Sequence, residues 1–143
     1  MQSLSYPRIV IGGLSGDSGK TVLSCGIIAS LREKGMNVSA FKKGPDYIDA
    51  AWLSLVSGKP ARNLDTYLMG FPKVKNSFLK NAEKSDISLV EGNRGLFDGV
   101  DSLGTHSTAE LAKLLKAPVI IVSPEPLPWA RRNTRDREQQ HTA

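Results

Sequence analysis

The chain has 143 residues, 40% of them hydrophobic, and a formal net charge of +5, which is apolar material for one folded core and too little for two. No apolar run approaches membrane-spanning length, the first residues lack a signal-peptide pattern and the single cysteine, Cys25, excludes an internal disulfide, so the expectation is a cytoplasmic protein without membrane contact. The lysines are scattered, with no basic run and no aromatic ladder beside them, so the charge suits solvated helix faces and a small polyanionic ligand rather than nucleic acid.

Residues 6–12 hold a short β-rich apolar core and predict the first strand. Val22, Leu23, Gly26, Ile27, Ile28 and Leu31 then recur at helical spacing before the Lys34-Gly35 stop, predicting a first helix that carries Cys25 as a small buried residue. Residues 37–41 read as a second strand, and 48–56 as a helix with Trp52, Leu55 and Val56 inward. Arg62-Asn63-Leu64-Asp65 reads as a turn with capping residues, and 73–82 as a further helix. Residues 87–90 form a third strand ending in Glu91, and Ser107-Thr108-Ala109-Glu110 supplies a capping box for a helix with Leu111, Leu114 and Leu115 on one face. Residues 118–122 read as a fourth buried strand. Strands alternating with helices imply a mostly parallel sheet covered on both faces, with ligands at the carboxyl ends of the strands.

The densest chemistry lies between the first strand and the first helix, in Gly13-Leu14-Ser15-Gly16-Asp17-Ser18-Gly19-Lys20-Thr21. Glycines there let backbone N–H groups converge on phosphate oxygens while the following helix aims its positive end at the same point. Lys20 is placed to reach the β and γ phosphates and the Thr21 hydroxyl to hold magnesium. Gly13 lies six residues before Gly19, whereas the common P-loop has five. Two further segments fall on the same rim. In Lys42-Lys43-Gly44-Pro45-Asp46-Tyr47-Ile48-Asp49, Lys42 is placed to neutralise phosphate or carboxylate, and Asp46 with Asp49 to bind magnesium or orient a nucleophile. In Glu91-Gly92-Asn93-Arg94-Gly95-Leu96-Phe97-Asp98-Gly99, Glu91 is placed at the strand tip to ligate or position magnesium and Asp98 in a rim loop free to reach a reacting carboxylate. Arg94 reads equally as a screen for developing negative charge and as a surface ion pair. His106 reads as an exposed loop histidine, since no second histidine or cysteine accompanies it.

Taken together, these strings and the run Ser107-Thr108-Ala109-Glu110-Leu111 resemble the amino-terminal synthetase domain of the cobyrinic acid a,c-diamide synthase family over residues 8–122. The resemblance implies a P-loop three-layer fold similar to dethiobiotin synthetase. It also implies an ATP- and magnesium-dependent ligase that activates the a and c carboxylates of a tetrapyrrole as acyl phosphates, which ammonia from glutamine converts to amides. By that resemblance Lys20, Lys42, Asp46, Glu91 and Asp98 are catalytic, and Gly13, Ser15, Gly16, Asp17, Ser18, Gly19, Lys20 and Thr21 bind the nucleotide. Thr21, Asp46 and Glu91 hold magnesium, while Lys42, Tyr47, Ile48, Asp49, Ser107 and Thr108 bind the tetrapyrrole. Amidation of nickel sirohydrochlorin stays open beside the cobyrinate and hydrogenobyrinate readings, as does homodimerisation. A nucleotide-dependent switch of the deviant P-loop type is disfavoured because Ser15 stands where its signature lysine belongs, five residues before Lys20. Residues 123–143, rich in proline and charge, predict no packed element, so the expectation is a synthetase domain truncated after the fourth predicted strand. It carries an irregular tail, lacks the glutaminase domain and is inactive alone; a non-catalytic binding fragment is the remaining alternative.

Overall fold

A computed structural model of the chain describes residues 6–124; of the tail expected over 123–143, residues 125–143 lie outside the described residues. In chain order the elements are β1 (Arg8–Gly13), α1 (Lys20–Glu33), β2 (Val38–Lys43), α2 (Tyr47–Ser57), β3 (Arg62–Leu64), α3 (Thr66–Met69), α4 (Phe71–Ala82), β4 (Ile87–Gly95), α5 (Thr108–Leu115) and β5 (Val119–Val122). The strands form one sheet in the order β3-β2-β4-β1-β5, and every pairing is parallel. After stepping outward through β2 and β3, the chain returns to insert β4 between β2 and β1. The carboxyl ends of these inner strands make the crevice in which α/β sheets bind ligands.

The strand pleat sorts the core into two layers. Val10, Phe41 and Val90 face α4 and α5, packing with Val74, Phe78, Leu111 and Leu115. Ile11, Val38, Ala40 and Leu89, next to them in sequence, face α1 and α2 and pack on Ile28 and Leu53. Alternate residues of a strand share a face, so Lys42 follows Val38 and Ala40 on the α1/α2 side and Glu91 follows Leu89. The register sets Lys42 opposite Glu91 and Ile11 opposite Glu91.

Several expectations need correction. Arg62–Leu64 is an edge strand paired with Phe41–Lys43, not a turn; it is only 3 residues long and offers no alternation to read. Asp65 does act as a cap, that of α3, accepting the Tyr67 and Leu68 N–H groups. Strand β4 runs past Glu91 to Gly95, which makes Glu91 a mid-strand residue. Trp52 and Leu55 point outward, 56% and 70% exposed, while Ala50, Leu53 and Ser57 form the inward face of α2. That helix is apolar on most sides, so periodicity alone did not choose its face. Only part of the α5 capping box forms: Ser107 Oγ accepts the Glu110 N–H at 3.3 Å, but Glu110 Oε2 reaches back to the His106 N–H at 2.6 Å, one residue earlier than the motif requires. His106 is packed, not merely exposed. Its ring stacks on Phe71, meets Tyr67 edge-on and places Nδ1 2.9 Å from Thr66 Oγ1.

Candidate functional site

The loop between β1 and α1 is shaped by two left-handed residues, Asp17 at φ 51° and Gly19 at φ 84°. Gly19 is the N-cap of α1 and no side chain caps the helix. The first amides of α1 are therefore offered to an anion at the positive end of the helix. The loop folds back on β1 so tightly that a Cβ on Gly13 would overlap Ser18 Oγ, with Ser15 O at 2.8 Å and Lys20 Nζ at 3.0 Å. Lys20 Nζ lies 3.3 Å from both Ser15 O and Ser18 Oγ, so the loop holds its ammonium through neutral oxygens. Burial, then the nearby Lys42 cation, push Lys20 below its ordinary value against the pull of Glu91, Asp17 and Asp49.

Opposite this loop, four elements, α1, β2, α2 and β4, meet at a charged cluster. Thr21 Oγ1 donates to Glu91 Oε1 at 2.6 Å. The same carboxylate oxygen lies 3.1 Å from Lys42 Nζ, which also donates to Gly92 O at 2.9 Å and pairs with Asp49 Oδ2 at 2.9 Å. Lys42 is 2% exposed and Glu91 is wholly buried. Burial by itself would raise the Asp49 carboxyl, but the Lys42 hydrogen bond and charge, helped by Asp46 and Thr21, hold it below the usual carboxylate range. Asp46 caps α2 through Oδ1, which accepts the Ile48 and Asp49 N–H groups at 3.0 Å. Residues 16–22, Lys42, Asp46, Asp49, Glu91, Asn93 and Arg94 line one cavity of about 480 Å³.

The donor set can be tested against magnesium on the structure's own terms. Glu91 Oε2 is buried with no hydrogen-bond partner among the described residues, a costly arrangement for a carboxylate oxygen unless a ligand completes it. A hydroxyl, a free carboxylate oxygen and neighbouring aspartates suit an octahedral, oxygen-seeking cation. No group of three His, Cys, Asp or Glu residues poised to hold a metal occurs among the described residues. The residues therefore fit magnesium brought in with phosphate oxygens and water, not a cage made by protein alone.

A second cleft, of about 700 Å³, lies on the other side of the same rim. Lys43, Gly44, Pro45, Asp65, Tyr67, Leu68, Asp98, Gly99, Val100 and His106 line it, and it shares Asn93 and Arg94 with the first cavity. Asp98 Oδ2 accepts the Gly95 N–H at 2.8 Å, so the carboxylate is anchored at the end of β4. Burial pushes Lys43 below its ordinary value, opposed by Asp65.

The structure thus brings Gly16 to Thr21, Lys42, Asp46, Asp49 and Glu91 together, with Gly13 and Ser15 supporting the loop from behind. Asp98 belongs to the second cleft. Tyr47 and Ile48 are exposed at the start of α2 and line neither cavity. Ser107 and Thr108 are buried with their hydroxyls occupied, Ser107 as the α5 cap and Thr108 by bonds to the backbone of Asn93. Thr108 braces the Asn93 backbone of β4, and neither residue lines either cavity. Lys43 and Asn93 carry no signal of their own in the sequence; the pleat places Lys43 in the second cleft, and Asn93 and Arg94 form the wall shared by both cavities. Arg94 is exposed at φ 50°, and its guanidinium forms no hydrogen bond or ion pair with another described residue.

The CobQ/CobB/MinD/ParA nucleotide binding domain matches residues 9–121. A cobyrinate a,c-diamide synthase of Magnetococcus marinus is 50% identical over 116 residues, covering 81% of this chain and 25% of that protein. A hydrogenobyrinate a,c-diamide synthase of Streptomyces coelicolor is 48% identical over 119 residues, 82% of this chain and 24% of that protein. A cobyrinate a,c-diamide synthase of Archaeoglobus fulgidus is 37% identical over 121 residues, 84% and 26% respectively. The chain spans about a quarter of the length of the curated relatives it matches.

Proposed function

Since the chain belongs to the family of the CobQ/CobB/MinD/ParA nucleotide binding domain, we propose that it binds magnesium-ATP in the cavity under the Gly13–Thr21 loop and serves the ATP-dependent amidation of a tetrapyrrole's a and c carboxylates in cobalamin biosynthesis. The names of its relatives, which include both cobyrinate and hydrogenobyrinate synthases, support the acceptor class. The observation that carries the proposal is the convergence of Thr21, Glu91 and Lys42 on one oxygen-rich point beside the uncapped start of α1.

A carboxylate is a poor acyl donor because oxide is a poor leaving group. Transfer of the γ-phosphoryl group to a carboxylate oxygen makes an acyl phosphate; ammonia then attacks the acyl carbon, the C–O bond to phosphate breaks, and amide and inorganic phosphate leave. Lys20 holds the β and γ phosphates, and the α1 amides face the negative charge that spreads over the transferred group. Thr21 and Glu91, with Asp46 beside them, hold magnesium, whose contribution when bound is to neutralise phosphate charge. Lys42, buried and fixed by two carboxylates, orients the incoming carboxylate and retains the phosphorylated acceptor. Asp98 lies beside the acceptor, Tyr47, Ile48 and Asp49 border its approach, and Thr108 holds the Asn93 end of β4 in place while Ser107 caps α5. Ammonia comes from glutamine through a glutaminase activity.

Calorimetric titration of cobyrinic acid into the chain saturated with magnesium and a non-hydrolysable ATP analogue tests this function. Saturable binding at one site per chain is expected. Nucleotide binding with no uptake of cobyrinic acid would contradict it and favour a nucleotide switch.

A further inference from the structure

Lys42 and Lys43 are adjacent on β2, and the pleat sends them to opposite sides of the sheet. Lys42 joins the buried cluster of the first cavity, whereas Lys43 continues the row of Phe41 toward α3 and lines the second cleft. The anions of that cleft are already engaged: Asp65 accepts two N–H groups of α3 and Asp98 accepts that of Gly95. Its cations are held more loosely: neither the Lys43 ammonium nor the Arg94 guanidinium makes a hydrogen bond or ion pair with another described residue, and Asp65 acts on Lys43 only through its charge. Arg94 is also held in the left-handed region at φ 50°, where a residue with a Cβ is strained, and such strain collects at ligand-binding loops. Tyr67, Leu68 and Val100 add apolar side chains that are more than half exposed. Two cationic heads without a hydrogen bond or ion pair and an apolar wall, in a cleft of about 700 Å³, are the composition of a site for an anion with a hydrophobic body.

We propose that the second cleft binds a polycarboxylate acceptor, with Lys43 and Arg94 receiving the carboxylates that are not being activated while Tyr67 and Leu68 carry the apolar body. Arg94 lines both cavities, so an acceptor held there has one end at the nucleotide. The macrocyclic identity of that acceptor rests on the function proposed above; the carboxylate-receiving role of Lys43 and Arg94 does not.

The test compares wild type, Lys43→Gln, Arg94→Gln and Arg94→Lys by calorimetry, with cobyrinic acid and, separately, the open-chain tricarballylate as probes, and with magnesium and an ATP analogue as control. Circular dichroism melting confirms that each variant is folded. Lys43→Gln is expected to weaken cobyrinic acid binding about tenfold or more, the loss of one charge-assisted contact, with nucleotide affinity within about twofold. Arg94→Gln should weaken it similarly, with Arg94→Lys retaining part of the affinity. Cobyrinic acid binding unchanged in both neutral variants overturns the inference and leaves the proposed function standing. Uptake of tricarballylate, weakened by both neutral variants, without uptake of cobyrinic acid supports the cleft and removes the macrocycle reading. Uptake of neither probe by wild type overturns both.

Discussion

The Thr21 hydroxyl donates to Glu91 Oε1 at 2.6 Å across 70 residues of sequence, tying the first turn of the phosphate-loop helix to the middle of β4. The second oxygen of the same carboxylate, Oε2, is buried without a partner among the described residues. One side chain therefore both fixes the loop and offers a position for a cation.

Replacing Glu91 with Gln keeps the shape and an acceptor for Thr21 while removing the charge. Nucleotide affinity measured with magnesium should fall about tenfold, while affinity without metal should change less than about twofold. Wild type should show no thermal shift with magnesium alone and a clear rise in Tm with magnesium and ATP together, because the protein supplies too few ligands by itself. An unaltered magnesium dependence in Glu91→Gln would remove the metal from this carboxylate.

Gly13 tests the packing of the loop. Its φ is not left-handed; what it needs is space, since a Cβ would overlap Ser18 Oγ and crowd Ser15 O and Lys20 Nζ. Gly13→Ala should displace the loop and weaken nucleotide binding about tenfold or more, with a stability loss of about 1–2 kcal/mol from overpacking. Denaturant unfolding alongside titration separates the two effects. Unchanged nucleotide affinity would mean that the loop does not need this close approach.

Asp49 predicts a specific acid sensitivity. Its burial raises the carboxyl, but the Lys42 hydrogen bond and charge outweigh burial and hold it lower folded than unfolded. Its stabilising contribution is complete above the unfolded value of 3.8 and is lost as pH falls through the lower folded value. Urea unfolding below about pH 4 should therefore show a steeper loss of stability with acid in wild type than in Asp49→Asn. Parallel curves would show that Asp49 is not held by Lys42 in solution.

How much of the molecule was legible in the sequence depends on how local each signal is. The phosphate loop, the flanking β1 and α1, and the Asp65 cap are encoded within a few neighbouring residues, and their glycines, Lys20 and Thr21 could be read directly. Lys42 and Glu91 were legible as candidates, but their 3.1 Å pairing depends on the insertion of β4 beside β2, which no local pattern encodes. The cleft that Lys43 and Arg94 share was hidden for the same reason, since the pleat and a shared wall bring them together, not composition. Strand β3 was missed because 3 residues paired only at an edge carry no period, and the face of α2 because apolar residues surround most of it.

The central claim, magnesium-ATP held by the Gly13–Thr21 loop, is tested most directly by calorimetric titration of magnesium-ATP into wild type and Lys20→Ala, both shown to be folded. Loss of one charge-assisted contact predicts an affinity lower by about one to two orders of magnitude in the variant. Equal affinity in the two proteins would contradict it.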